Sequence, residues 1–162
     1  MASIRQNYHE ESEAGINKQI NLELFASYTY LSMSFHYNHT NVALPGAHKY
    51  FLKASHEERE HAEKLMKFQN QRGGTVVLKD IKKPAKDTWG TLKEGVAAAL
   101  DLEKHVNQSL LDLHALAGKH SDAQVREMTE GSTLFAFGLF GTEIIQCGVE
   151  TLKLTLNFKD KV

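Results

Sequence analysis

The chain has little cysteine and little proline. Among its 162 residues Cys147 is the one cysteine, so no disulfide can form within the chain, and a reducing compartment is expected. The two prolines, Pro45 and Pro84, leave long uninterrupted segments of helix-forming residues. These segments predict an all-α domain.

Strong net charge and long apolar runs are also missing. The formal net charge is −1, which gives no sign of a nucleic-acid partner. No stretch reaches the ~18 consecutive apolar residues that a membrane span needs. The first ten residues lack the apolar run of a signal peptide. We therefore expect a cytoplasmic protein with one domain over residues 1–162, without nucleic-acid or membrane partners.

Local signals place the helices. The first is predicted from about Glu10 to Asn38, and the second begins at Pro45 and stops at Gly73. The third extends from about Thr91 to Lys119, and Ser121 or Asp122 can cap a fourth. On the first helix one stripe at helical spacing contains Ile16, Ile20, Leu24, Ser27 and Leu31.

The connection between the second and third helices, Thr75 to Trp89, is unusually long for a compact bundle. A connection of this length can cross from one end of a bundle to the other and so permits parallel neighbours. The sequence therefore predicts a four-helix bundle with a long crossover, which Trp89 anchors by packing.

The end of the chain departs from this pattern. Four glycines follow residue 130, and each costs a helix interior about 1 kcal/mol relative to alanine. Residues 152–158 alternate with period two, which is typical of a strand. The fourth helix is therefore expected to be atypical.

The stretch from His56 to Glu63 contains four carboxylates and two imidazoles. Glu58 and His61 are three residues apart and share a helix face. This Glu-x-x-His spacing is the half-site of di-iron carboxylate bundles. The alternative interpretation is an ordinary solvated charged face.

Two further glutamates lie among apolar neighbours, Glu23 on the first helix and Glu103 on the third. Buried carboxylates are costly unless they are paired or bind a metal. Together with Glu58 and His61 they suit Fe(II), Mn(II) or Zn(II). Tyr30, seven residues after Glu23, supplies a hydroxyl on the same face. The alternative is that both glutamates lie at helix edges and face solvent.

The chain resembles heavy-chain-type ferritin over about residues 4–130. The segments that carry the resemblance are Gln6–His9, Ile20–Tyr28, Ser55–Gly74, Asp101–Lys104 and Leu113–His114. The resemblance implies intracellular iron storage in a 24-subunit cage, which is either a homo-oligomer or a mixed cage with other ferritin subunits.

The resemblance also implies roles for particular residues. A ferroxidase centre that passes electrons from two Fe(II) ions to dioxygen would comprise Glu23, Glu58, His61 and Glu103, with Tyr30 beside it. The acidic patch on which mineral nucleates inside the cage would comprise Glu57, Glu60 and Glu63, with Glu57 also a transit ligand. The channel for ferrous entry would be lined by His114, Glu127 and Glu130. The two channel acids are also explained as first-turn acids that a helix dipole favours.

The resemblance ends after about residue 130. Where the family has a glutamine that completes the second iron site, this chain has Phe137, which cannot coordinate a metal. The short fifth helix of the family has no counterpart in residues 131–162. We therefore expect slowed iron oxidation. Two alternatives stay open: a non-enzymatic subunit that nucleates mineral in mixed cages, and an iron-binding variant that does not assemble.

Overall fold

The computed structural model describes residues 4–131. It contains helices α1 (Glu10–Asn38), α2 (Pro45–Gln71) and α3 (Leu92–Lys119), and the helical start of α4 at residues 123–131. Within these residues there is no strand, and no helix is both long and apolar enough to cross a membrane. The predicted all-α four-helix class is confirmed. The expectations for Phe137, the glycine-rich segment, residues 152–158 and the missing fifth helix lie outside the described residues.

The helix ends follow from local sequence signals. Thr91 caps α3 in a capping box, in which its hydroxyl accepts a hydrogen bond from the backbone N–H of Glu94 and the Glu94 carboxylate accepts one in return. Of the two residues predicted to cap α4, Asp122 does so, because its Oδ1 accepts a hydrogen bond of 3.1 Å from the N–H of Val125. Gly73, with φ of 75°, takes the left-handed conformation after α2.

Helix α1 packs antiparallel to both α2 and α3. Against α2, the Ser27 hydroxyl donates a hydrogen bond of 2.7 Å to the carbonyl of Ser55, and Ser34 contacts His48 nearer the loop. Against α3, Gly95 packs so closely on Tyr37 that a Cβ at this position would overlap the tyrosine hydroxyl. Because both neighbours are antiparallel to α1, α2 and α3 are parallel to each other, as the long connection predicted.

The crossover between α2 and α3 is fixed along α1. The amide of Asn17 donates to the carbonyl of Thr75 at 3.0 Å and accepts from the N–H of Val77 at 3.0 Å. At the far end Trp89 is buried in the core, and its indole N–H donates to Ser32 at 3.1 Å. The prediction that Trp89 anchors the crossover is therefore confirmed.

The apolar core has two main clusters, one toward each end of the bundle. One contains Tyr30, Met33, Tyr37, Ala47, Phe51, Trp89 and Ala99. The other contains Tyr8, Ile16, Ile20, Leu65, Leu113, Ala117 and Val125. The predicted stripe of α1 is wrong at Leu31, which is 36% exposed. The buried face continues instead from Ile16 and Ile20 through Glu23 to Tyr30, because these residues face α2 and α3.

Candidate metal centre

Three metal-ligating side chains from α1 and α2 converge inside the bundle. Glu23 and Glu58 are only 3% and 7% exposed. One ligand atom from each of Glu23, Glu58 and His61 lies within 4.8 Å of the others. His61 Nδ1 is 3.3 Å from Oε2 of Glu58 one helical turn earlier. The predicted Glu-x-x-His pair therefore points into the bundle, with Glu58 buried and His61 partly exposed.

Helix α3 supplies a third carboxylate. Glu103 is 8% exposed, so the alternative in which Glu23 and Glu103 face solvent is wrong. The buried Tyr30 hydroxyl donates a hydrogen bond to Oε1 of Glu103. The predicted hydroxyl of Tyr30 thus contacts a carboxylate and holds its position.

The three glutamates and His61 line one cavity of about 320 Å³. Its lining combines the four predicted ligands with apolar residues of α2 and α3. The lining residues are Glu23, Glu58, His61, Lys64, Leu65, Glu103, Val106, Leu110, Glu127, Met128 and Gly131. Oxygen and imidazole ligands around an apolar-walled space are typical of a transition-metal site.

The electrostatics of the site favour a cation. Burial, and then the neighbouring carboxylate of Glu58, raise the pKa of Glu23 well above its usual value. Burial raises the pKa of Glu58 to about 7, and it also raises the pKa of Glu103. Burial and mutual proximity therefore favour the neutral forms of these carboxyl groups, and a bound cation would stabilise their charged forms.

Sequence reasoning missed Gln19, which is completely buried. Its amide Nε2 donates a hydrogen bond of 2.7 Å to Oε1 of Glu23. Glu23 Oε2 has no nitrogen or hydroxyl donor among the described residues. One oxygen of Glu23 is therefore held in place by Gln19, and the other accepts no such hydrogen bond. The i, i+4 spacing of Gln19 and Glu23 was the available signal.

Comparisons with known proteins identify the family of the chain. A family model described as the ferritin-like domain matches residues 13–132. The chain belongs to the ferritin family. It is 60% identical to the soma ferritin of Lymnaea stagnalis over 134 residues, which is 83% of this chain and 77% of that protein. Ferritins store iron, so this chain is an iron-storage protein.

The acidic patch of this ferritin lies apart from the cavity. Glu60 is exposed, while Glu57 forms an ion pair of 3.3 Å with Lys53 and Glu63 one of 3.1 Å with Arg59. None of the three glutamates is among the described residues that line the cavity. Glu60 and Glu63 are on a different face of α2 from Glu58 and His61, whereas Glu57 is four residues before His61 and lies closer to that face.

The ferritin's predicted channel residues are only partly together. His114 Nδ1 is 3.0 Å from the hydroxyl of Thr129, and its Nε2 is 3.9 Å from Oε1 of Glu130. Glu127, on the same first turns of α4, is among the residues that line the cavity. The role of these residues in a channel stays a prediction.

Proposed function

We propose that this ferritin is a ferroxidase of the heavy-chain type. Two Fe(II) ions bind as substrates at Glu23, Glu58, His61 and Glu103, and each gives one electron to dioxygen. The Fe(III) product is stored as mineral inside an oligomeric cage. The protein acts in the cytoplasm, which the single cysteine supports.

The observation that carries this proposal is the convergence of three buried carboxylates and an imidazole on one cavity. Burial of these side chains without a cation costs free energy. A set of carboxylates with one imidazole suits iron, and carboxylates can bridge two ions. A centre that holds two one-electron donors side by side matches the two electrons that dioxygen accepts in its first reduction to peroxide.

The residues around the centre have separate tasks. Gln19 orients Glu23, and Tyr30 orients Glu103, through hydrogen bonds to the carboxylate oxygens. Val106 and Leu110 form an apolar wall that limits access of water. His61 is the most exposed of the four proposed ligands, with a third of its side chain accessible. In this proposal iron therefore reaches the cavity from the side of His61.

The remaining acids serve iron traffic in this proposal. Fe(II) enters past His114, Glu127 and Glu130, since a ring of carboxylates concentrates cations. Fe(III) leaves the centre past Glu57 and nucleates mineral on the patch of Glu57, Glu60 and Glu63. The exposure of Glu60 supports this role.

Assembly of subunits is supported by an apolar face of α1. Tyr28, Leu31 and Phe35 share one side of the helix and are exposed, and Val77, Leu78 and Ile81 of the crossover are exposed as well. A patch of large apolar residues is typical of a protein interface. We propose that further ferritin subunits cover it, either copies of this chain or partners in a mixed cage.

The oxidation proposal is tested by the initial rate of Fe(II) oxidation in air-saturated buffer. Glu58→Gln and His61→Ala should each slow the rate at least about tenfold. Mutation of residues that only hydrogen-bond to metal ligands already causes losses of this size. Their matched controls are the exposed Glu10→Gln and His105→Ala, which should keep the wild-type rate. Equal rates in all five proteins would refute a ferroxidase centre and favour the non-enzymatic nucleation subunit.

Assembly is tested by sedimentation velocity on the purified protein. A 24-subunit cage of this 18.2 kDa chain sediments far ahead of a monomer or dimer. A cage-sized species is the expected result. Small species alone, without partner subunits, would favour either a mixed cage or the non-assembling alternative, and mixing with a second ferritin subunit separates these two.

A further inference from the structure

A second group of metal-ligating side chains lies on the surface, where the start of α1 meets the turn between α3 and α4. It comprises His9, Glu11 and His120, and one ligand atom from each lies within 4.8 Å of the others. Glu11 precedes Glu23 by twelve residues, about 18 Å along the helix, so this group is separate from the iron centre.

The two histidines are held together by packing. Their rings stack face to face, with 3.6 Å between centroids and 10° between planes. His9 caps α1, and its Nδ1 accepts a hydrogen bond of 3.1 Å from the N–H of Glu11. This hydrogen bond leaves Nε2 of His9 as the ring nitrogen available to a ligand.

The carboxylate completes the set. Glu11 Oε2 is 2.9 Å from Nε2 of His120 and 2.9 Å from Nζ of Lys119. A tetrahedral ion with bonds of about 2.0–2.1 Å needs its ligand atoms about 3.3–3.5 Å apart. An ion lies in the plane of each imidazole that binds it, so His9 must turn out of the parallel stack to share an ion with His120. The His9 and Glu11 side chains are exposed, so side-chain rotation can bring the three ligand atoms to these separations.

We propose that His9, Glu11 and His120 form a surface site for a late first-row divalent cation such as Zn²⁺ or Cu²⁺. Two imidazoles and one carboxylate are the ligand types that these ions prefer. The ion replaces the proton between His120 and Glu11 and joins the start of α1 to the turn before α4. This proposal does not depend on the ferroxidase function.

The structure also supplies a competitor. The ammonium group of Lys119 forms an exposed ion pair with the carboxylate of Glu11 and so already balances its negative charge. A metal cation that binds Glu11 must share the carboxylate with the ammonium group or displace it, because the two positive charges repel each other. Removal of the lysine charge should therefore tighten metal binding if Glu11 is a ligand.

The test is equilibrium dialysis of the assembled protein against Zn²⁺ at pH 7.5. The background variant carries Glu58→Gln and His61→Ala, so that the iron centre does not bind the probe. His9→Ala and His120→Ala in this background should each lower the Zn²⁺ affinity at least about tenfold and remove one tight ion per chain. The control is His105→Ala on the exposed side of α3, which should bind as the background does.

Two further readouts separate the site from unspecific surface binding. With Cu²⁺ as probe, the electron paramagnetic resonance spectrum should show two coordinated imidazole nitrogens, and His9→Ala should reduce this to one. Lys119→Met should bind Zn²⁺ more tightly. Unchanged Zn²⁺ binding in His9→Ala and His120→Ala, an equal loss in His105→Ala, or no tightening in Lys119→Met would each overturn the three-ligand site.

Discussion

The side-chain amide of Gln19 and the carboxylate of Glu23, one helical turn apart on α1, are joined by a hydrogen bond of 2.7 Å inside the bundle. Both residues are buried, and the bond holds Oε1 of Glu23 in place. Gln19 therefore acts as a positioning residue for a proposed metal ligand.

The first prediction concerns Gln19→Met, which keeps the side-chain volume and removes the donor. We expect metal affinity and the initial rate of Fe(II) oxidation to fall about 10- to 100-fold, because ligand orientation depends on such neighbours. Gln108→Met, at an exposed amide that also bonds a carboxylate four residues later, is the control. The two proteins are compared by titration with Co²⁺ and by stopped-flow oxidation. A wild-type metal affinity and oxidation rate in Gln19→Met would show that Gln19 does not position Glu23.

The second prediction concerns Tyr30→Phe, which leaves Glu103 without its hydroxyl donor. Leaving a buried acceptor unsatisfied costs about 1–3 kcal/mol of unfolding free energy in the metal-free protein. Iron oxidation should also slow, because the carboxylate of α3 loses its orientation. Tyr28→Phe, two residues earlier and exposed, should change neither quantity. Thermal unfolding of the metal-free proteins and oxidation assays measure the two effects, and equal behaviour of both variants would contradict the prediction.

The third prediction is a pH dependence at Glu13. The hydrogen bond from the N–H of Thr75, at 2.7 Å, and the contact with Arg5 hold the pKa of Glu13 below its usual value. Because the pKa of Glu13 is lower in the folded than in the unfolded protein, its carboxylate stabilises the fold at pH values above the unfolded pKa of about 4.3. This stabilisation is lost as the pH falls through the folded pKa.

Glu13→Gln should therefore lower the unfolding free energy by about 1 kcal/mol at pH 7 and have a smaller effect near pH 3. Urea unfolding at the two pH values measures the difference. Glu10→Gln, on the same helical turn and exposed, controls for loss of a surface acid. A Glu13→Gln cost that does not shrink at low pH would show that the carboxylate charge is not the cause.

The fourth prediction concerns the buried ion pair of Arg72 and Asp122. Nη1 and Nη2 of the Arg72 guanidinium donate hydrogen bonds of 2.8 and 2.9 Å to the two carboxylate oxygens of Asp122. Arg72→Met leaves a buried charge without its partner and should cost about 3–5 kcal/mol. Asp122→Asn keeps an oxygen that can cap α4. The double variant Arg72→Met/Asp122→Asn should lose less unfolding free energy than the two single variants lose in sum. Thermal unfolding of the four proteins tests this, and Lys83→Met at the exposed pair with Asp87 should cost under about 1 kcal/mol.

The fifth prediction concerns Phe137→Gln, at a position outside the described residues. The resemblance to the family predicts that an amide here strengthens the second iron site, so oxidation should become faster. The initial oxidation rate is the measurement, with Phe135→Gln as the nearby control. An unchanged initial rate in Phe137→Gln would count against this interpretation of the position.

The helix ends and the ligand faces could be predicted because their signals are local. Pro45, Gly73 and Thr91 mark ends by their own backbone preferences. The face shared by Glu58 and His61 follows from helical spacing alone. The burial of Glu23 and Glu103 was expected from apolar neighbours and from the resemblance.

Features that depend on which helices pack together could not be predicted from sequence. The stripe through Leu31 was wrong because the interface of α1 is set by two neighbouring helices. The i, i+4 spacing of Gln19 and Glu23 allowed a contact between them, but it did not show that both side chains were buried. The stack of His9 on His120 requires the end of α3 to return to the start of α1. The roles of His114, Glu127 and Glu130, and the treatment of residues 131–162 as a divergent part of one domain, remain predictions.

The antiparallel pair of α1 and α2 has a consequence for synthesis on the ribosome. Three of the four proposed ligands, Glu23, Glu58 and His61, are on this hairpin, and the crossover and α3 follow it in the chain. A nascent polypeptide can therefore pair the first three ligands before Glu103 has been translated. The proposed iron centre becomes complete only when α3 has left the exit tunnel and docked on α1, so chains stalled before that point carry three of the four proposed ligands.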